Sequence, residues 1–421
     1  MKFIHAADIH LDSPLKGLAA YPDAPVHLLR TATRDAFNNL ISEAIAEQVD
    51  FMVIAGDLYD GSWKDFNTGI HFAGQMGRLH AAGIPVYLLL GNHDAESEMT
   101  RKLVLPPNVH RFPSNKAATF EVPALRVALH GRSFKDAATT ENLAVHYPDP
   151  VPGWLNIGVL HTALEGNSAH PNYAPCTLAE LHARGYQYWA LGHVHEHQVW
   201  RGASTIAFPG NLQGRHIREP GPRGALLVTT DEAEIQSVER LIVDVLRWHA
   251  LDVDVSACED LASAVLRTGQ AIDDLLQQAG GDHQLALRIT LTGATPAHGE
   301  LFGLEAQLRA EVLAQAATLG LDRLWVEKLV LATTPYETEG AAGGLAARSD
   351  ALADLQALLA QAPADPDLVQ GLQTDLMQMI GKLPAEVINA VPLLQEIRAG
   401  QLNALLAQTA PSLLAHLAKA G

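Results

Sequence analysis

The chain has 421 residues, of which 48% are apolar, enough for a full core and for two or three domains. Its net charge of -18 is awkward for a protein that holds a polyanion, which usually shows a basic face, and predicts weak binding of one by this chain alone, with a partner supplying the rest. No stretch reaches the ~18–20 uninterrupted apolar residues of a membrane span, and Asp8 interrupts the place where a secretion signal would be apolar.

The first half is a series of apolar runs that end in polar, chemistry-bearing residues. Residues 2–7 lead to Asp8-Ile9-His10, and a helical pattern follows over roughly 26–47. Residues 50–55 end in Gly56-Asp57-Leu58-Tyr59-Asp60, with a second helical pattern over 65–82. Residues 84–90 end in Gly91-Asn92-His93-Asp94. Two strand-like runs broken by Pro123 predict a hairpin over 118–129. Residues 155–160 end in His161, and 186–191 end in Gly192-His193-Val194-His195. Runs of this length, rich in Val, Ile and aromatics, suit strands buried on both faces. Their alternation with helices predicts a parallel core whose strand ends converge on one crevice. Residues 204–208 and 224–228 read as strands that complete a second sheet.

Farther along, 241–255 is strand-like, 259–279 has helical apolar spacing up to Gly280, 285–291 alternates, 300–317 is helical and 324–332 is a strand. This order predicts a small α+β unit starting near residue 235. Gly340, Gly343 and Gly344 mark a linker. Beyond it, Leu352, Leu355, Leu358 and Leu359 share one helical face, and Leu368, Leu372, Leu376, Ile380 and Leu383 share another. Pro384 and Pro392 break the pattern, and 404–419 makes a last short helix. The expected division is therefore 1–235, 236–336 and 337–421.

Asp8, His10, Asp57, Asn92, His161, His193 and His195 mix carboxylate, amide and imidazole, which neither a structural zinc site nor a one-ion site requires. A phosphodiester resists attack because its oxygens are negative and water is a poor nucleophile. Two divalent cations about 3.5–4 Å apart answer both problems by drawing off charge and holding a bridging hydroxide. A pair of dications needs a bridging carboxylate, for which Asp57 is the natural candidate. Borderline imidazole beside hard oxygen suits manganese, iron or zinc better than calcium or magnesium.

These motifs (Asp-x-His, Gly-Asp-x-x-Asp, Gly-Asn-His-Asp, a His after a strand, Gly-His-x-His) resemble those of the calcineurin-like metallophosphoesterases. The opening Phe-Ile-His-Ala-Ala-Asp-Ile-His-Leu-Asp-Ser-Pro and the stretch from Phe208 to His216, with Glu219, Gly221 and Arg223-Gly224, are similar to the SbcD-type DNA repair exonucleases and their YhaO branch. The resemblance implies a two-sheet α/β/β/α sandwich with a small α+β cap that selects substrate geometry, and a helical C-terminal tail. It also implies one ion on Asp8, His10, Asp57 and His195, and a second on Asp57, Asn92, His161 and His193. His93 becomes the histidine that aids the leaving group, and Asp60 the carboxylate that orients it. The implied activity is manganese-dependent exonuclease and endonuclease cleavage of DNA. The implied partner is an SMC-like coiled-coil ATPase of the YhaN or SbcC type, docked on the Leu-rich tail, and a homodimer is open.

Arg215 and His216 are expected to contact a phosphate. The first half is less acidic than the second, with 19 basic against 25 acidic residues over 1–240 and 10 against 22 over 241–421. Arg101, Lys102, Arg111, Lys116, Arg126, Arg132, Lys135, Arg215, Arg218 and Arg223 are candidates for a rim that guides the backbone. Asp12 and Asp94 are candidates for acceptors behind the ligating imidazoles or for helix caps. His5, His27, His71, His80, His110, His130, His146 and His170 have no motif around them and read as ordinary packing or surface residues, and His197 reads as a strand residue. Cys176 and Cys258 lie far apart without zinc spacing, which fits a reducing cytoplasm. A small-molecule or cyclic-nucleotide phosphodiesterase, or a scaffold with weak chemistry, are the alternative functions.

Overall fold

The computed structural model describes residues 1–13, 24–60, 66–96, 105–164, 173–280, 283–320, 323–336, 355, 357–359, 361–381, 392–402 and 405–406. They form two compact units. One comprises Met1–Ala250, Gly281–Leu287 and Asp322–Glu327, and the other Leu251–Gly280, Arg288–Leu321 and Lys328–Gly421.

Twelve strands among the described residues make two six-stranded sheets in the first unit. In chain order these are β1 (Lys2–Ala6), β2 (Phe51–Ala55), β3 (Val86–Leu89), β4 (Val109–Arg111), β5 (Ala118–Val122), β6 (Val127–Gly131), β7 (Leu155–His161), β8 (Tyr188–Gly192), β9 (Gln198–Arg201), β10 (Thr205–Phe208), β11 (Gly224–Asp231) and β12 (Glu234–Ile242). The first sheet has the order β12-β11-β1-β2-β3-β4 and the second β5-β6-β7-β8-β10-β9. Alternation along each strand sorts the core into layers. Phe3, Phe51, Val53 and Tyr87 pack against Val127, Leu129, Ile157 and Tyr188, so the sheets meet face to face. The intervening Ile4, Met52, Ile54 and Val86 face the other way, onto Phe37 and Leu40 of α1 (Val26–Ala46) and Phe72 and Met76 of α2 (Phe66–Ala81). The outer face of the second sheet packs Trp189 and Leu191 against Tyr147 and Leu181. The sandwich expected from the sequence is present. A short helix, α3 (Asn92–Glu96), follows β3, and α4 (Leu178–Ala183) precedes β8 with a Thr177–Glu180 capping box.

Two strand expectations change. Residues 224–231 do not complete the second sheet: β11 pairs antiparallel with β1, Lys2 opposite Thr229, and lies in the first. The run 241–255 is not one strand. Glu234–Ile242 pairs with β11, and a new strand, β13 (Leu246–Asp254), starts after a break at Val243 to Val245. The break exists because Asp244 accepts the Arg223 amide and pairs with the Arg247 guanidinium, which turns the chain away from the ladder.

β13, β14 (Gln284–Thr295) and β15 (Leu324–Pro335) form a three-stranded sheet. In the second unit, α5 (Leu261–Ala279) begins at a capping box between Asp260 and Ser263 and ends at Gly280, φ +56°. The single helix expected over 300–317 is two, α6 (His298–Gly303) and α7 (Glu305–Gly320). In the tail, α8 (Pro366–Ile380) is capped by Asp365. Pro392 marks a break in the helical pattern, as expected, by opening α9 (Pro392–Arg398), the position where a missing N–H costs nothing. Residues 340–350, Leu352, Leu383, Pro384 and 404, together with 407–419, lie outside the described residues.

Candidate metal centre

The site lies in the first unit, just past the ends of β1, β2, β3, β7 and β8. β1 and β2 run parallel, Ala6 opposite Ile54. Beyond their ends the two chains stay paired: the Asp8 amide donates to the Gly56 carbonyl at 3.0 Å and the His10 amide to the Asp57 carbonyl at 3.0 Å. Asp8, His10 and Asp57 have φ of +49°, +45° and +52°, a region that costs L residues roughly 1–3 kcal/mol each. Three such residues side by side are held there by the paired strand ends.

Two glycines let the sheets close on each other here. Gly56 has φ +99°, and a Cβ on it would lie 2.3 Å from His161 Nδ1. A Cβ on Gly91 would lie 2.3 Å from Asp57 Oδ1.

The seven predicted ligands collect in two adjacent donor sets. Asp8, His10 and His195 place donor atoms within 4.8 Å of one another, and so do Asp57, His161 and His193. Asn92 joins the second set, with Oδ1 3.0 Å from His161 Nε2. Asp57 Oδ2 lies 3.4 Å from His161 Nε2 and 4.0 Å from His10 Nε2, within reach of both sets. Its Oδ1 is fixed by the His93 amide at 3.0 Å. The Asp8 carboxylate accepts the His193 amide at 2.9 Å.

The donor chemistry fits cations. His161 Nδ1 faces the Ala55 carbonyl at 2.9 Å, which requires a proton on Nδ1. With Nε2 unprotonated, as a metal ligand requires, its lone pair meets the acceptors Asp57 Oδ2 and Asn92 Oδ1, and in the absence of an ion a second proton on the ring answers them. His195 likewise gives Nδ1 to Glu219 Oε1 at 2.7 Å, and its Nε2 faces His10 Nε2 at 3.2 Å. Acceptors converging on acceptors are stable around a positive charge. Two fully buried carboxylates add to the demand: burial, more than the neighbouring Asp57 charge, pushes Asp8 up to about 6. Burial pushes His161 down, but the Asp57 charge and contact outweigh it and leave the imidazole raised to about 9. Burial opposes ionisation of Asp57 too, and the surrounding imidazoles, His161 first, still hold it well below the carboxylate range.

Asp60 stands between two imidazoles. Its Oδ1 lies 3.6 Å from His10 Nδ1 and 3.7 Å from His93 Nδ1, ion-pair distances that are too long for hydrogen bonds. The His93 ring is 41% exposed, open to a substrate. Arg215 turns inward, its side chain 17% exposed, against Glu219 and Ser13, whereas His216 is 44% exposed. Burial raises Glu219, but His195 and Arg215 overcome this and hold it well below the usual range.

Other candidates have structural partners. Asp94 accepts the Gly91, Leu58 and Tyr59 amides at 2.9–3.1 Å, so it braces the two metal-site loops and backs no imidazole. Asp12 binds Arg34 and Thr68. Arg223 is buried, bonding the His195 carbonyl, Glu196 and the Pro220 carbonyl, and is not part of a rim. Arg101 and Lys102 lie outside the described residues. His5 and His130 are buried and hydrogen-bonded, as packing residues. His197 faces the Phe208 carbonyl at 3.3 Å. Glu219 is the residue whose role the sequence did not disclose. It stands 24 positions from His195, and no periodicity links them.

The calcineurin-like phosphoesterase family matches residues 1–197, and the middle domain of metallophosphoesterase YhaO matches residues 248–334. The chain is 33% identical over 300 residues to the Bacillus subtilis protein named uncharacterized metallophosphoesterase YhaO, covering 70% of this chain and 72% of that one. It is 24% identical over 326 residues to the DNA double-strand break repair protein Mre11 of Methanopyrus kandleri, covering 69% and 68%. A dimetal phosphatase structure from Danio rerio aligns with 58% of this chain and 98% of that one at 12% identity and a TM-score of 0.35.

Proposed function

Since the chain belongs to the calcineurin-like metallophosphoesterases, in the group of YhaO, we propose that it is a two-metal DNA nuclease. Phosphoester hydrolysis is the chemistry of the family. The single observation that carries the reading is the convergence of Asp8, His10 and His195 beside Asp57, His161, His193 and Asn92, with Asp57 Oδ2 within reach of both sets. DNA as the substrate is supported by the similarity to Mre11.

Divalent ions held there would supply Lewis acidity toward the phosphoryl oxygens and would lower the pKa of water at the site. The mixed donors favour manganese, with iron or zinc next. Asp8, His10, Asp57 and His195 would hold one ion, and Asp57, Asn92, His161 and His193 the other. His93, exposed at the edge of this cluster, donates to the departing oxygen, and Asp60 holds its Nδ1 face. In this reading His216, 44% exposed, contacts a phosphate oxygen. Arg215 acts from behind the imidazoles. In the same reading, the nuclease body expected over 1–235 extends through β12 to Ile242, which pairs with β11, the cap follows to 336, and 337–421 is a tail that docks a coiled-coil ATPase. The YhaO middle-domain match supports the second part. The family resemblance supports the partner and a cytoplasmic setting. Among the described residues no helix is long and apolar enough to cross a membrane.

The test is hydrolysis with manganese of linear duplex, circular single-stranded DNA and bis-para-nitrophenyl phosphate. Cleavage of linear duplex that a chelator abolishes is the expected result. Hydrolysis of the small diester with both DNAs intact means a small-molecule phosphodiesterase. No turnover of any of the three leaves a scaffold.

A further inference from the structure

The donor imidazoles differ in what stands behind them. His161 has a neutral backbone carbonyl, that of Ala55, at 2.9 Å from Nδ1. His195 has a carboxylate, Glu219, at 2.7 Å from Nδ1. His10 also has one, Asp60, at 3.6 Å. Glu219 is 5% exposed and cannot swing, because its second oxygen accepts the Arg215 amide at 2.8 Å and Asn211 Nδ2 at 3.0 Å. The Arg215 guanidinium spans the two carboxylates. Its Nη2 lies 3.5 Å from Glu219 Oε1, and its Nη1 donates to Ser13 Oγ at 3.3 Å, which in turn donates to Asp60 Oδ2 at 2.9 Å. One cation thus ties together the groups behind both imidazoles of one donor set.

We propose that Glu219 is a positioning residue for the Asp8, His10 and His195 set alone, and that Arg215 couples it to Asp60. Through Nδ1 of His195, the carboxylate fixes the ring's tautomer and rotation and makes Nε2 a stronger donor. The set of Asp57, Asn92, His161 and His193 has no such support at His161 and does not depend on residue 219. The inference rests on the two-ion reading above and adds an inequality between the ions.

The test titrates manganese into the full chain after chelation, for wild type, Glu219→Gln and Glu219→Ala. Calorimetry gives the affinity of each site, and electron paramagnetic resonance separates an exchange-coupled pair from an isolated ion. The expected result is a loss of about 10–100-fold in affinity at one site, with the other site unchanged. At intermediate manganese the variants then show an isolated-ion spectrum where wild type shows the coupled pair. Arg215→Lys shifts the same site in the same direction. The melting temperature of the chelated protein reports whether each variant folds. If Glu219→Ala does not fold, Glu219→Gln, of matching size, carries the test. A wild-type chain that never takes up two ions overturns the two-ion reading, and this inference with it. A wild type with two ions and variants that keep both affinities, or lose both equally, overturn the inference alone, because a loop tether would act without preference.

Discussion

His161 reaches across the seam between the two sheets to set Nδ1 2.9 Å from the carbonyl oxygen of Ala55. Ala55 ends β2 in the first sheet and His161 ends β7 in the second. The contact fixes which nitrogen of His161 is free to bind an ion, and it needs the sheets close at that end.

Gly91→Ala should therefore disable the site with little change elsewhere. Its Cβ would fall 2.3 Å from Asp57 Oδ1 and 2.9 Å from His161 Cε1, so the carboxylate within reach of both donor sets must move. The expected outcome is loss of the paired ions by elemental analysis, with the far-ultraviolet circular dichroism of wild type. A variant that retains two ions per chain would show that Asp57 does not bridge.

His93→Ala should separate chemistry from metal binding. The His93 amide holds Asp57 Oδ1, and the substitution leaves that amide in place. Turnover should fall roughly 10²–10⁴-fold, the usual worth of a general acid, while manganese content stays at the wild-type level. Full duplex cleavage by this variant would refute the role.

His5 should make the fold acid-sensitive. It is buried between β1 and β8, with Nδ1 3.0 Å from the Tyr188 hydroxyl and Nε2 3.0 Å from the Leu191 carbonyl. The carbonyl accepts from Nε2, and the hydroxyl donates to Nδ1. Burial lowers its pKa to about 3, against 6.5 for the free group. The unfolded chain then binds a proton that the folded chain refuses. Its contribution is complete above pH 6.5 and shrinks as pH falls toward 3, by ~1.4 kcal/mol per unit. Between pH 7.5 and 5, His5→Gln should lose about 2 kcal/mol less stability than wild type. Denaturant unfolding with chelator present, so that bound ions do not contribute, measures this. Equal losses in both proteins would mean that His5 is protonated in the fold.

Much of this protein is decided by local sequence. Each strand of the parallel core is an apolar run, and its last residues carry a motif whose chemistry is readable without the fold, as in Gly56-Asp57 or Gly192-His193-Val194-His195. The helix at 26–46 and the hairpin at 118–131 are legible for the same reason, since periodicity and turn residues act over a few positions. What tertiary structure alone decides is who stands next to whom. Residues 224–231 are as good a strand for one sheet as for the other, and pairing with β1 settles it. Asp12 and Asp94 look like acceptors for imidazoles until Arg34 and three backbone amides are found to occupy them. Arg215 and Arg223 look like rim cations until the fold places carboxylates and carbonyls around them. Glu219 gains its place behind His195 only when the loop after β10 folds back. Residue type limits which bonds a side chain is able to make, but the choice among partners lies in long-range packing, where a one-dimensional pattern holds no information.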